Sequence, residues 1–127
     1  MLFRSTIGPL RSAHIHQKVA IYLNGTRVNL ALPQYQSRDL YARFELGDGV
    51  TLHLHATGIT LRYILSTLGM LGKTSLVVAV NGSRLDAWVD YKPKDLDVIL
   101  ITDRADLADA EWIEFWNQPW QLNRGPG

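Results

Sequence analysis

Apolar and polar residues alternate in two places along this chain, each time leading into a glycine-bearing turn. In IHQKVAIYLNGTRVNL, Val19, Ile21 and Leu23 alternate with Lys18, Ala20 and Tyr22 before Asn24-Gly25. That pattern predicts a strand, a two-residue hairpin turn and a return strand over Arg27 to Leu30, ended by Pro33. In YARFELGDGVTLHLHA, Phe44 and Leu46 lead into Gly47-Asp48-Gly49. Val50, Leu52, Leu54 and Ala56 then form one face of a strand, with Thr51, His53 and His55 on the other. The periodicity changes to helical in ITLRYILSTLGMLG, where Leu61, Ile64, Leu65 and Leu68 share a stripe, Thr60 can cap the start and Gly69 can end it. SLVVAV reads as a strand covered on both faces, turned by Asn81-Gly82, and DVILIT (Asp97 to Thr102) as the last strand. ADLADAEWIEFWN predicts a short amphipathic helix stopped by Pro119, with three tryptophans, Trp112, Trp116 and Trp120, in and just after it. Aromatics at that density either pack a helix on an open sheet face or form a partner interface.

The order of elements from Tyr41 to Thr102 resembles the β-grasp, or ubiquitin-like, fold. More specifically, TLRYILSTLG, VVAVNGSRL and KDLDVILIT are similar to the helix, V-x-V-N-G turn and D-x-V strand of the small sulfur-carrier proteins of thiamin and molybdopterin synthesis, over about half the chain. The resemblance implies an α+β domain in which a mixed sheet packs on one main helix, here with an extra N-terminal β-hairpin and a C-terminal Trp-rich helix. Its boundaries fall as a basic arm over 1–13 and a single domain over 14–127, made of a hairpin (14–32), a core (41–102) and a helix and tail (103–127). The carriers end in a flexible Gly-Gly shortly after the last strand, whereas this chain continues for 25 residues beyond Thr102 and ends RGPG. A sulfur-carrier reading therefore implies an altered C-terminus.

Composition narrows the chemistry. The 127 residues are 46% hydrophobic and 20% charged, with a net charge of +1 and no cysteine. Disulfides, thiolate metal sites and thiol nucleophiles are excluded, and nothing in the charge favours nucleic acid. No apolar run is long enough to span a membrane. Charge is segregated: five bases and no acid from Met1 to Arg38, nine acids against three bases from Asp86 to Glu114. Two solvated faces explain this, as does a basic arm docked on an acidic patch, its own or a partner's.

The four histidines form two HxH pairs, His14/His16 and His53/His55. Residues two apart on a strand share a face. If the two strands are neighbours, cross-strand Cβ separations of about 5 Å bring four imidazoles together. Neutral imidazole suits Zn, Cu and Ni, so the candidate ligands are His14, His16, His53 and His55, with Glu45 as an extra ligand and Zn or Cu as the metal. The plainer alternative is four polar, exposed strand residues. The segments HIHQKVAIYLNG and DGVTLHLHATGITLRYILSTLGM are also similar to a prokaryotic group of histidine-rich, often membrane-tethered domains. That resemblance implies a bacterial or archaeal protein, in which Arg43 and Glu45 stand where the group often carries a further histidine pair; it does not fix a compartment.

A second constellation, NGSRLDAWVDYKPKDLDVILI, resembles the nucleotidyltransferase signature, with Ser83 in the Gly-Ser turn and Asp95 and Asp97 as a Mg²⁺-binding pair. The expectation taken forward is a non-enzymatic binding or assembly module with a protein partner or a second copy of itself. It holds a transition metal through the histidine pairs. A nucleotidyltransferase-like enzyme and an altered sulfur carrier are the alternatives.

Overall fold

The computed structural model describes residues 7–72 and 75–103. It shows a mixed sheet with one main helix, as the pattern predicts. The strands are β1 (Ile15–Leu23), β2 (Thr26–Arg27), β3 (Ala42–Arg43), β4 (Thr51–Leu54), β5 (Val77–Val80), β6 (Ser83–Arg84) and β7 (Val98–Thr102); the helix α1 is Leu61–Thr67. The sheet runs β3-β4-β1-β7-β5-β6, with β2 paired to β1. β1 and β7 are parallel and the remaining pairs antiparallel. The segment carrying Trp112, Trp116 and Trp120 lies outside the described residues.

The first hairpin forms where Asn24-Gly25 predicts it, both residues taking positive φ. Its return strand is only Thr26–Arg27, however, and β1 is the sheet's central strand, bonded to β4 on one side and β7 on the other. In the second hairpin Leu46 turns rather than extends. Its φ is 61° and it is 69% exposed, while Phe44 is buried. Asp48 then receives the Val50 and Thr51 amides on Oδ1 at 2.7 and 3.0 Å, launching β4.

The helix begins at Thr60, whose hydroxyl accepts from the Tyr63 amide at 3.2 Å. It ends where Gly69 takes φ 72°, with Gly69 N–H bonded to Ser66 and Met70 N–H to Leu65, a Schellman closure that a residue with Cβ would strain. Leu61, Ile64 and Leu65 pack against Val19, Ile21, Leu52, Leu54, Ile99 and Ile101 from the sheet. The opposite sheet face carries a smaller cluster of Ala20, Ala79 and Leu100.

The VNG turn and the DxV strand form one hydrogen-bonded unit. Asn81 Nδ2 donates to Asp97 Oδ1 (2.9 Å), Asn81 Oδ1 accepts from Val98 N–H (2.9 Å), and Asp97 Oδ2 accepts from Tyr91 OH (2.6 Å) and Lys94 N–H (2.8 Å). Burial first, then the bond to Asp97 and its charge, push the Tyr91 phenol up to about 12. An unfolded tyrosine ionises near pH 10. The fold holds this proton more tightly, so its contribution is complete below about pH 10 and is lost as pH rises towards 12. Tyr91→Phe is expected to lower neutral-pH stability by about 1 kcal/mol. It should also flatten the loss of stability between about pH 10 and 12, read from urea melts.

Candidate metal centre

The two HxH pairs meet because β1 and β4 are antiparallel neighbours, with His16 directly opposite His53. His14 and His55 extend the same two lines beyond the paired residues. Ring centroids are 4.7 Å apart for His16–His53, 4.9 Å for His14–His16, 5.3 Å for His14–His55 and 6.3 Å for His53–His55. One nitrogen from each of His14, His53 and His55 lies within 4.8 Å of the others. His16 joins the ring cluster without a nitrogen in that converging set.

These are not simply exposed strand histidines. His53 is 2% and His16 6% exposed, while His14 is exposed and His55 intermediate. The buried Nδ1 of His53 and Nε2 of His55 have no hydrogen-bond partner among the described residues. Leaving a buried polar atom unsatisfied costs about 1–3 kcal/mol. Desolvation lowers the pKa of His53, and neighbouring His16 and His55 add to this, against the opposing pull of Glu45 and Asp48. The neutral ring, the form that ligates metals, is therefore favoured.

Arg43 and Glu45 belong to the site. Arg43 on β3 pairs in register with His53. Its Nε meets Glu45 Oε2 at 2.9 Å, and its Nη2 donates to Ser37 Oγ at 2.9 Å. Glu45 Oε1 stands 3.8 Å from His53 Nδ1. A chain of side chains, Ser37–Arg43–Glu45, thus runs up behind His53. The alternation in Arg43-Phe44-Glu45 was the available signal: with Phe44 in the core, its two neighbours face the histidine side.

The N-terminal arm is tied down beside β4. Gly8 N–H bonds to Thr57 O, Arg11 N–H to His55 O, and Ser12 Oγ accepts from Thr57 N–H at 2.9 Å. A Cβ on Gly8 would sit 2.2 Å from Thr57 Oγ1 and 2.8 Å from Ser12 Oγ, so a side chain there would have to displace these hydroxyls. The contacts carry His14 to His55.

Among the described residues, six non-glycine residues take positive φ. Two, Asn24 and Asn81, sit in Asn-Gly turns that favour it. The other four surround the histidines: Arg11 bonds to the His55 carbonyl, Leu96 N–H to the His16 carbonyl at 2.7 Å, Leu46 follows Glu45, and Ser37 holds Arg43. Each costs on the order of 1 kcal/mol, and such strain gathers at sites whose geometry must be held.

The nucleotidyltransferase residues fall elsewhere and are otherwise engaged. Asp97 is 5% exposed and its carboxylate receives three donors. Asp95 Oδ1 accepts from the His16 backbone N–H at 2.9 Å. Ser83 is exposed on the edge strand β6. The carboxylates act as structural fasteners, with those oxygens already occupied.

No helix among the described residues is long and apolar enough to cross a membrane. Comparison with protein-family models, with curated proteins and with solved structures returns no match in any of the three.

Proposed function

We propose that this chain is a non-enzymatic, β-grasp-like binding module that holds one transition-metal ion through His14, His53 and His55. The observation that carries this reading is the convergence of three imidazole nitrogens from two distant segments to within 4.8 Å. The unsatisfied buried Nε2 of His55 and the strained loops support it. An all-nitrogen donor set without thiolate suits Zn²⁺ or Cu²⁺. Tetrahedral Zn²⁺ needs nitrogens about 3.3 Å apart, so binding draws the rings in by about an ångström. Three protein ligands leave a fourth position for water or for a side chain from a protein partner or second copy, which fits an assembly role.

In this reading Glu45 is an outer partner rather than a ligand. Its approach to Nδ1 at 3.8 Å leaves His53 Nε2 to face the metal, and a small closing movement would let the carboxylate accept from Nδ1–H, the usual support for a ligating histidine. The test is equilibrium dialysis against Zn²⁺ and Cu²⁺ followed by elemental analysis. About one ion per chain is expected, and none would sink the reading. Glu45→Gln should weaken affinity by roughly 10–100-fold without abolishing binding.

A further inference from the structure

A cavity of about 270 Å³ lies on the core side of the strand ends that carry the histidines. Its floor includes Ile15, Leu54, Ala56 and Ile59, and Lys92 and Lys94 stand at its edge. Ile15 alternates with His14 and His16, and Leu54 with His53 and His55, so the cavity faces away from the imidazole cluster. Leu54, Ala56 and Ile59 are buried, whereas both lysines are exposed. Neither lysine forms an ion pair among the described residues, and no acid lines the cavity.

The two cations are held by an anchored segment. Tyr91 carbonyl accepts from Leu61 N–H at the helix start, and Tyr91 OH and Lys94 N–H both donate to the buried Asp97. Lys94 carbonyl accepts from the Gln17 side chain and from Asp97 N–H. Pro93, between the lysines, is buried and lines the cavity, and its ring fixes φ. The Lys-Pro-Lys backbone is thus clamped on both sides while its ammonium groups meet no counter-charge among the described residues. An apolar recess with two cations at its mouth complements a ligand with an anionic head and a short apolar tail.

We infer that this cavity binds a small amphiphilic carboxylate, on the order of ten non-hydrogen atoms given its volume. The inference is independent of the metal reading, since the cavity and the histidines occupy opposite sides of the sheet.

The probe is sodium octanoate, titrated into the full chain and followed by amide NMR, with octan-1-ol as the uncharged control. Saturable one-to-one binding is expected, with shifts at Ile15, Leu54 to Ile59 and Lys92 to Lys94. Octan-1-ol and the double variant Lys92→Gln/Lys94→Gln should each bind octanoate's site at least about tenfold more weakly. The double change touches only exposed side chains, so its melting temperature should stay unchanged. As a second variant, Ala13→Leu, which fills the cavity from its wall, should weaken octanoate and octan-1-ol alike. Equal affinity for octanoate and octan-1-ol, undiminished octanoate binding in the double variant, shifts confined to other residues, or no saturation would each overturn the inference.

Discussion

His53→Ala is expected to abolish stoichiometric metal retention while leaving the metal-free fold intact. His53 is the buried member of the converging triad, between His16 across the sheet and Glu45 behind. Losing an outer partner costs roughly 10–100-fold in affinity, and losing one of three direct ligands costs more, so about a thousandfold loss is the expected scale. Folding should suffer little, because the change also removes a buried nitrogen that has no hydrogen-bond partner among the described residues. His16→Ala is the contrasting variant: its ring sits in the cluster but contributes no nitrogen to the triad, so most affinity should remain. Competition titration with a chromophoric chelator reads both. Equal losses in the two variants would mean that the ligands are assigned wrongly.

The second large effect is on stability. Asp97→Ala strips the acceptor from Tyr91 OH, Asn81 Nδ2 and Lys94 N–H at once, at a largely buried carboxylate. Hydrogen bonds to a charged group contribute about 1.5–3 kcal/mol each and do not add fully, so a loss of about 4 kcal/mol is expected. That is a large part of the stability of a domain this size. Urea midpoints measure it. The prediction also bears on the nucleotidyltransferase alternative: were Asp97 a metal-binding catalytic carboxylate, its removal would spare the fold and abolish Mg²⁺-dependent nucleotide binding.

Local features were legible in the sequence and non-local ones were not. Asn-Gly turns, the Thr60 cap and the Gly69 stop are written within a few residues, and each lies where the pattern places it. Leu46 misled because an apolar residue before a glycine turn continues the alternation, yet its backbone is already turning. The parity of the HxH pairs was readable, but their adjacency was not. Strand order depends on which distant segments bury each other's faces, and nothing local encodes that His16 opposes His53. Burial was not readable for a related reason. The sequence marks Thr51 and His53 as opposite the leucines, but exposed strand histidines stood only as the plainer alternative, and both residues are buried on that face. Arg43 and Glu45, read as departures from a histidine pattern, acquire a role only once β3 is placed against β4.

The most direct measurement is long-range ¹H–¹⁵N NMR of the four imidazoles before and after one equivalent of Zn²⁺. Metal coordination at His14, His53 and His55 predicts that one nitrogen in each moves to a metal-bound shift, while His16 does not. A spectrum in which only the exposed His14 responds, or none of the four does, would contradict the account.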